Sequence, residues 1–105
     1  MPTVQYKDIY FSVDENGFLD NYSNWCPEWV DYVRTAQNIP ILTQEHWRLI
    51  RALQDYYREN GTVPMARTIS KATGFKMKHI FELFPAGPGK GACKMAGLPK
   101  PKGCV

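Results

Sequence analysis

Residues 43–61 read TQEHWRLIRALQDYYRENG, and they decide what kind of fold this chain can have. Trp47, Leu49, Ile50, Leu53 and Tyr57 recur at helical spacing, so one face of the stretch is apolar and should face a core. Thr43 is a good N-cap, because its hydroxyl can accept from a backbone N–H of the first turn. Gly61 suits the position just past the last turn, where a left-handed residue is favoured. The longest helix is therefore predicted from Gln44 to about Asn60, with Pro40 breaking the chain ahead of it. His46 lies in the first turn and is given no role beyond surface or core packing.

Toward the N-terminus, YSNWCPEW at 22–29 leads into another helix. Pro27 fits the first helical position, where its missing N–H costs nothing. Trp29, Val30 and Val33 give that helix an apolar face. Cys26 sits among apolar neighbours and reads as a core or cap residue rather than a reactive thiol. Earlier still, Thr3 to Tyr6 and Ile9 to Val13 alternate around Lys7-Asp8, which predicts a short β-hairpin. The cluster Asp14-Glu15-Asn16-Gly17 turns the chain after it. Two strands alone are marginal, so the hairpin must pack on helices.

Toward the C-terminus, Pro64 opens the next unit. Met65 to Thr73 reads as a helix closed by Gly74, and Lys76 to Phe84 as another closed by Pro85. Ile80, Phe81 and Phe84 are the apolar positions of the second. The pair has the outline of a helix-turn-helix, and Arg67, Lys71, Lys76 and Lys78 are basic. Without a dense basic stripe, a DNA-binding regulator is the lesser reading, and an ordinary packed helix pair the greater.

The last stretch, 85–105, reads PAGPGKGACKMAGLPKPKGCV. Nine of its 21 residues are Gly or Pro, which argues against regular structure over most of it. It carries Lys90, Lys94, Lys100 and Lys102 and no acidic side chain, so it takes four of the chain's 13 basic residues and none of the 10 acidic ones. The fold expected is mainly α: a small orthogonal helical bundle over 1–84 with an N-terminal hairpin, a helix-turn-helix-like pair, and a flexible basic arm over 85–105, together one domain. The arm holds Cys93 and, one residue from the end, Cys104. Ten residues separate them, so the thiols can meet in a loop whose closure costs on the order of 3 kcal/mol, small enough for redox conditions to decide. From Lys94 the extended chain reaches about 35 Å, enough to carry Cys104 into a partner's buried site. Lys102 favours the thiolate of Cys104 and the terminal carboxylate opposes it.

At 105 residues with 44% hydrophobic content the chain can build one real core. It has no apolar run near the ~20 residues of a membrane helix and no signal peptide, so no membrane insertion and a cytoplasmic location are expected. Three cysteines do not make a secreted disulfide framework. There is no CxxC and no HExxH. The candidate ligands Cys26, Cys93, Cys104, His46 and His79 lie far apart in sequence, so no metal is expected. The GPGKG at 87–91 follows a helix rather than a strand, so it is not a phosphate loop, and no cofactor of its own is expected. With no base near either arm cysteine, the chain looks like something another enzyme acts upon, not an enzyme itself.

Five segments carry a family resemblance that runs essentially end to end. They are DENGFL (14–19), WCPEWV (25–30), QDYY (54–57), TGFK (73–76) followed by LFP (83–85), and above all GPGKGACKMAGLPKPKGCV (87–105). With these the chain resembles the DsrC/TusE family of small sulfur-trafficking proteins, and within it the gamma-subunit type of dissimilatory sulfite reductase. The resemblance implies that the arm enters a channel of the reductase α and β subunits, whose sirohaem and iron-sulfur clusters belong to that partner. It implies that Cys104 captures partly reduced sulfur, that Cys93 closes a trisulfide on it, and that a membrane-bound thiol/disulfide-reducing complex later reduces the trisulfide to release sulfide. Lys100 and Lys102 are expected to help the arm enter its partner. Relatives with only the penultimate cysteine look like persulfide relays for tRNA thiolation, which is the second reading. Keeping Cys93 favours the first. Oxidative relatives use the same two cysteines, so the direction of sulfur flow stays open, and no thiol role carries over to Cys26.

Overall fold

The structure is a computed structural model that describes residues 2–101. Strand β1 (Thr3–Tyr6) pairs antiparallel with β2 (Ile9–Ser12), in the register Thr3 to Ser12 and Tyr6 to Ile9. Lys7 in the connecting turn has φ 55°. The DENG turn follows as expected: Asp14 Oδ1 accepts from the Asn16 and Phe18 amides at 2.8 and 3.0 Å. This turn brings Leu19 back opposite Val13. The Tyr6 hydroxyl donates to the Asp31 carboxylate, and that tie pins the hairpin to the next helix. The bond and the Arg34 guanidinium together hold the Asp31 carboxyl below its ordinary range.

Helix α1 (Pro27–Ala36) starts at the predicted proline and buries Trp29, Val30 and Val33. Cys26 is its N-cap, half-buried and without a capping bond from its side chain. Helix α2 (Gln44–Asn60) is the longest, and Gly61 ends it in the left-handed region. Leu49, Ile50 and Leu53 are fully buried, each stabilising the fold by roughly 1.5–3 kcal/mol.

His46 does more than pack. The Thr43 N–H must donate, so His46 Nδ1 accepts it at 3.0 Å and Nε2 carries the ring hydrogen. Nε2 then donates to the Leu83 carbonyl at 2.8 Å, and the ring meets Phe84 edge-on. One imidazole thus completes the cap of α2 and receives the end of a later helix.

The expected helix over Met65–Thr73 is instead a 3-10 turn, Ala66–Thr68, running into a short α3 (Ile69–Thr73). The Thr68 hydroxyl bonds the Met65 carbonyl and that of Thr73 bonds the Ile69 carbonyl; such local bonds compete with regular helix. Helix α4 (Met77–Leu83) follows Gly74. Ile80 and Phe84 are buried, but Phe81, the third of the expected apolar positions, is 50% exposed.

The largest departure from expectation concerns residues 88–98. The chain does not leave the body at Pro85. Residues 88–93 form a π-helix, Pro88–Cys93, with the proline at its start. Gly91, Ala92, Cys93, Met95, Ala96 and Leu98 are all buried, and five of these six join the same core as α1 and α2. The radius of gyration, 12.7 Å, is close to the ~13 Å of a wholly folded chain of this length. The glycines serve close packing: a Cβ on Gly91 would lie 2.9 Å from Phe84 Cβ, and one on Gly97 would lie 2.5 Å from the Trp25 ring. The chain stays on the body as far as Pro101, which is buried again after the exposed Pro99 and Lys100. Lys102 and Cys104 lie outside the described residues. Among the described residues, no helix is long and apolar enough to cross a membrane.

Candidate functional site

The sequence points to Cys93 and Cys104 as the reactive pair, and the structure places the first of them. Cys93 is the last residue of the π-helix and is fully buried, not in an open loop. Helical geometry continues through Met95 and then stops in a glycine cap. The Leu98 N–H bonds the Cys93 carbonyl at 3.1 Å and the Gly97 N–H bonds that of Lys94 at 3.1 Å. With Gly97 at φ 80°, these are the two bonds of a Schellman motif.

Such a helix end still leaves carbonyls in need of donors. Three side chains from distant parts of the chain supply them in succession. Trp29 Nε1 donates to the Lys94 carbonyl at 2.7 Å, and Trp25 Nε1 to that of Met95 at 3.0 Å. Gln54 Nε2 donates to the Ala96 carbonyl at 3.1 Å. Gln37 adds a fourth bond, Nε2 to the Lys90 carbonyl at 2.9 Å. Each typically contributes about 1 kcal/mol net, and more is at stake when a buried carbonyl loses its donor. The Trp25 ring also closes against Gly97. Cys93 therefore lies directly before a segment, Lys94–Leu98, that two indoles and an amide hold onto the body.

The sequence reading gave Trp25, Trp29 and Gln54 no place in the site. A signal was there: two tryptophans one helical turn apart, each with an N–H that needs an acceptor once buried, and a glutamine beside Leu53 on the buried side of α2.

Around the segment the lysines divide. Lys94 is half-buried, its ammonium 5.9 Å from the Phe18 ring centroid and close over Gly17. Lys90 and Lys100 are exposed and share with Lys94 the rim of a cleft of about 340 Å³. Lys100 also edges a larger cleft of about 540 Å³, lined by Tyr56, Tyr57, Val63, Met65 and Pro99. Lys100 thus stands between a basic and a largely apolar concavity. Among the described residues, no group of three or more His, Cys, Asp or Glu could hold a metal ion. His79, in α4, bridges Glu45 and Glu82, and the Glu45 carboxylate foremost raises its pKa.

The sequence and the fold are similar to those of known proteins. The family model described as DsrC like protein matches residues 5–105. The dissimilatory-type sulfite reductase subunit gamma of Nitratidesulfovibrio vulgaris (strain Hildenborough) is 58% identical over 105 residues, covering 100% of both chains. The sulfurtransferase TusE of Photorhabdus laumondii is 37% identical over 99 residues, 88% of each chain. A chain in a crystal structure of dissimilatory sulfite reductase I superposes with a TM-score of 0.87 at 55% identity, covering 99% of this chain and 100% of that one. The chain belongs to the DsrC-like protein family.

Proposed function

We propose that this chain is the gamma-type accessory subunit of a dissimilatory sulfite reductase and its sulfur-carrying co-substrate, not an enzyme on its own. The observation that carries this is the full-length, 58% identical match to a subunit gamma, in a chain that holds cysteines at both 93 and 104. Cys104 takes up partly reduced sulfur at the sirohaem of the reductase α and β subunits, whose iron-sulfur clusters supply the electrons. Cys93 then closes on that sulfur. Each thiol loses its proton, two S–S bonds form, and the two electrons leaving the thiols bring the bound sulfur to the level of a trisulfide. A membrane-bound thiol/disulfide-reducing complex, acting from the cytoplasm, returns both cysteines to thiols and releases sulfide. This is thiol–disulfide exchange with one sulfur atom inserted.

The end of the chain carries Cys104, and Lys100 and Lys102 steer it toward an anion-holding channel. Two assays test the reading. In turnover with reductase and sulfite, Cys104→Ala should abolish sulfur loading, whereas Cys93→Ala should still load sulfur on Cys104 but form no trisulfide. Lys100→Gln with Lys102→Gln should weaken reductase binding mainly at low salt, and unchanged binding there would remove the steering role. A relay that passes persulfide to tRNA thiolation is the second reading, favoured by the similarity to TusE. Equal sulfur transfer to a relay partner with Cys93 replaced would promote it.

A further inference from the structure

We propose that the cleft rimmed by Lys90, Lys94 and Lys100 is a binding site for a divalent oxyanion, either alone or as the charged head of a small molecule. The inference does not depend on the sulfur chemistry of the two cysteines.

The backbone collects the three lysines at one place. Lys90 lies in the π-helix Pro88–Cys93 and Lys94 caps its end, about one helical turn further on. Gly97, at φ 80°, then turns the chain, and Lys100 lines the same cleft as the other two. The walls are anchored from α1. Gln37 Nε2 donates to the Lys90 carbonyl at 2.9 Å, and Trp29 Nε1 to that of Lys94 at 2.7 Å. These anchors take the carbonyls, not the ammonium groups.

The three ammonium groups lack a counter-charge. Among the described residues, no carboxylate forms an ion pair with any of them. No described residue lining the cleft is Asp or Glu. Asp14, in the neighbouring turn, accepts from the Asn16 and Phe18 amides instead. Lys94 has the greatest need of an anion, because it is half-buried. Its ammonium sits where Gly17 has no side chain, 3.2 Å from the place of a Cβ, and 5.9 Å from the Phe18 ring centroid. A ring face at that distance eases a cation without neutralising it. Like charges one turn apart also repel each other. A concave surface of one sign focuses the field and concentrates the opposite ion.

The ligand class follows from the donors. Lysine ammonium groups act as point charges, and three of them around one cleft suit the oxygen shell of a sulfate or phosphate group better than a single planar carboxylate. Asn16 adds a carboxamide to the lining. The volume, about 340 Å³, exceeds what one tetrahedral ion needs and lies at the small end of small-molecule sites. The oxyanion is the shared chemistry of both sources, and the probes below separate them.

The test is a backbone-amide NMR titration of the full-length reduced protein, with ionic strength held constant by sodium chloride. The probes are sulfate, glycerol 3-phosphate, acetate and a tetraglutamate peptide. Sulfate and glycerol 3-phosphate should give saturable shifts at Asn16–Phe18, Lys90, Lys94 and Lys100, and acetate should not. Equal affinity for the two assigns the bare group, and a much tighter ester assigns the head of a small molecule. Lys90→Gln and Lys94→Met should each weaken binding about tenfold. Lys71→Gln, an exposed position in α3, should leave it unchanged. The spectrum of each variant reports its fold; if Lys94→Met unfolds, Lys90→Gln, at an exposed position, decides alone. Shifts that never saturate would overturn the proposal, as would unchanged affinity in Lys90→Gln. Saturable binding of tetraglutamate with none of sulfate or the ester would also overturn it, and would make the cleft a seat for an acidic protein segment. None of these readings involves the reductase, so failure of the carrier function would be seen separately, as absent sulfur loading on Cys104.

Discussion

Helix α2 and the segment Pro88–Leu98 both pack into the core and are built by opposite means. Leu49 in the first and Leu98 in the second are both fully buried. Helix α2 carries its instructions within itself: a Thr43 cap, apolar residues at helical spacing, and a left-handed Gly61. The C-terminal segment carries few of its own. Its helical carbonyls are received by Trp25, Trp29 and Gln54, up to 70 residues away, and its glycines let the backbone lie against Phe84 and Trp25. One kind of burial is written in local sequence, the other only in partners far off along the chain.

The sharpest way to break this comparison is to cut both regions equally. Leu49→Ala and Leu98→Ala should each lower unfolding stability by about 2–5 kcal/mol in a urea titration. Near-zero loss for Leu98→Ala would make 88–98 an appended arm after all. Gly97→Val should cost at least about 2 kcal/mol, because φ 80° is strained for a branched residue and its side chain enters the Trp25 ring. A neutral result in the same titration would mean that the Trp25 contact holds nothing in place. Thr43→Ala removes a local cap and should cost about 1 kcal/mol in the same titration.

The smallest effect is a pH dependence at the α2–α4 contact. The Glu45 and Glu82 carboxylates raise the pKa of His79. The imidazolium thus contributes stability that is complete below the ordinary histidine value of about 6.5 and is lost as pH rises through the raised value. The stability difference between wild type and His79→Gln should therefore be larger at acidic pH and shrink toward alkaline pH. A difference that grows with pH would refute the ion pair.

This contrast also explains what could be read from the chain. The hairpin, the start of α1 at Pro27 and both ends of α2 follow from local signals, and the structure has them there. Cys93 and Cys104 stand out by spacing and by family pattern. The burial of 88–98 was not legible, because Gly and Pro serve mobility and close packing equally well in composition. Only the partners decide between them, and here those partners are far off in sequence. Phe81 went astray for a related reason: periodicity marks an apolar residue but not whether a neighbour exists to cover it, and in this fold Phe81 stays half exposed beside Gly87. His46 has a cap bond of its own, but its second bond, to Leu83, forms only when α4 arrives, and no local signal marks it.

The most direct test of the carrier reading is the intact mass of this chain after turnover with sulfite reductase, sulfite and limiting electrons, followed by peptide mapping. The account predicts a product one sulfur atom heavier, with Cys93 and Cys104 joined through that atom and the added mass lost on reduction. No sulfur on Cys104 from a reductase preparation known to be active would contradict it.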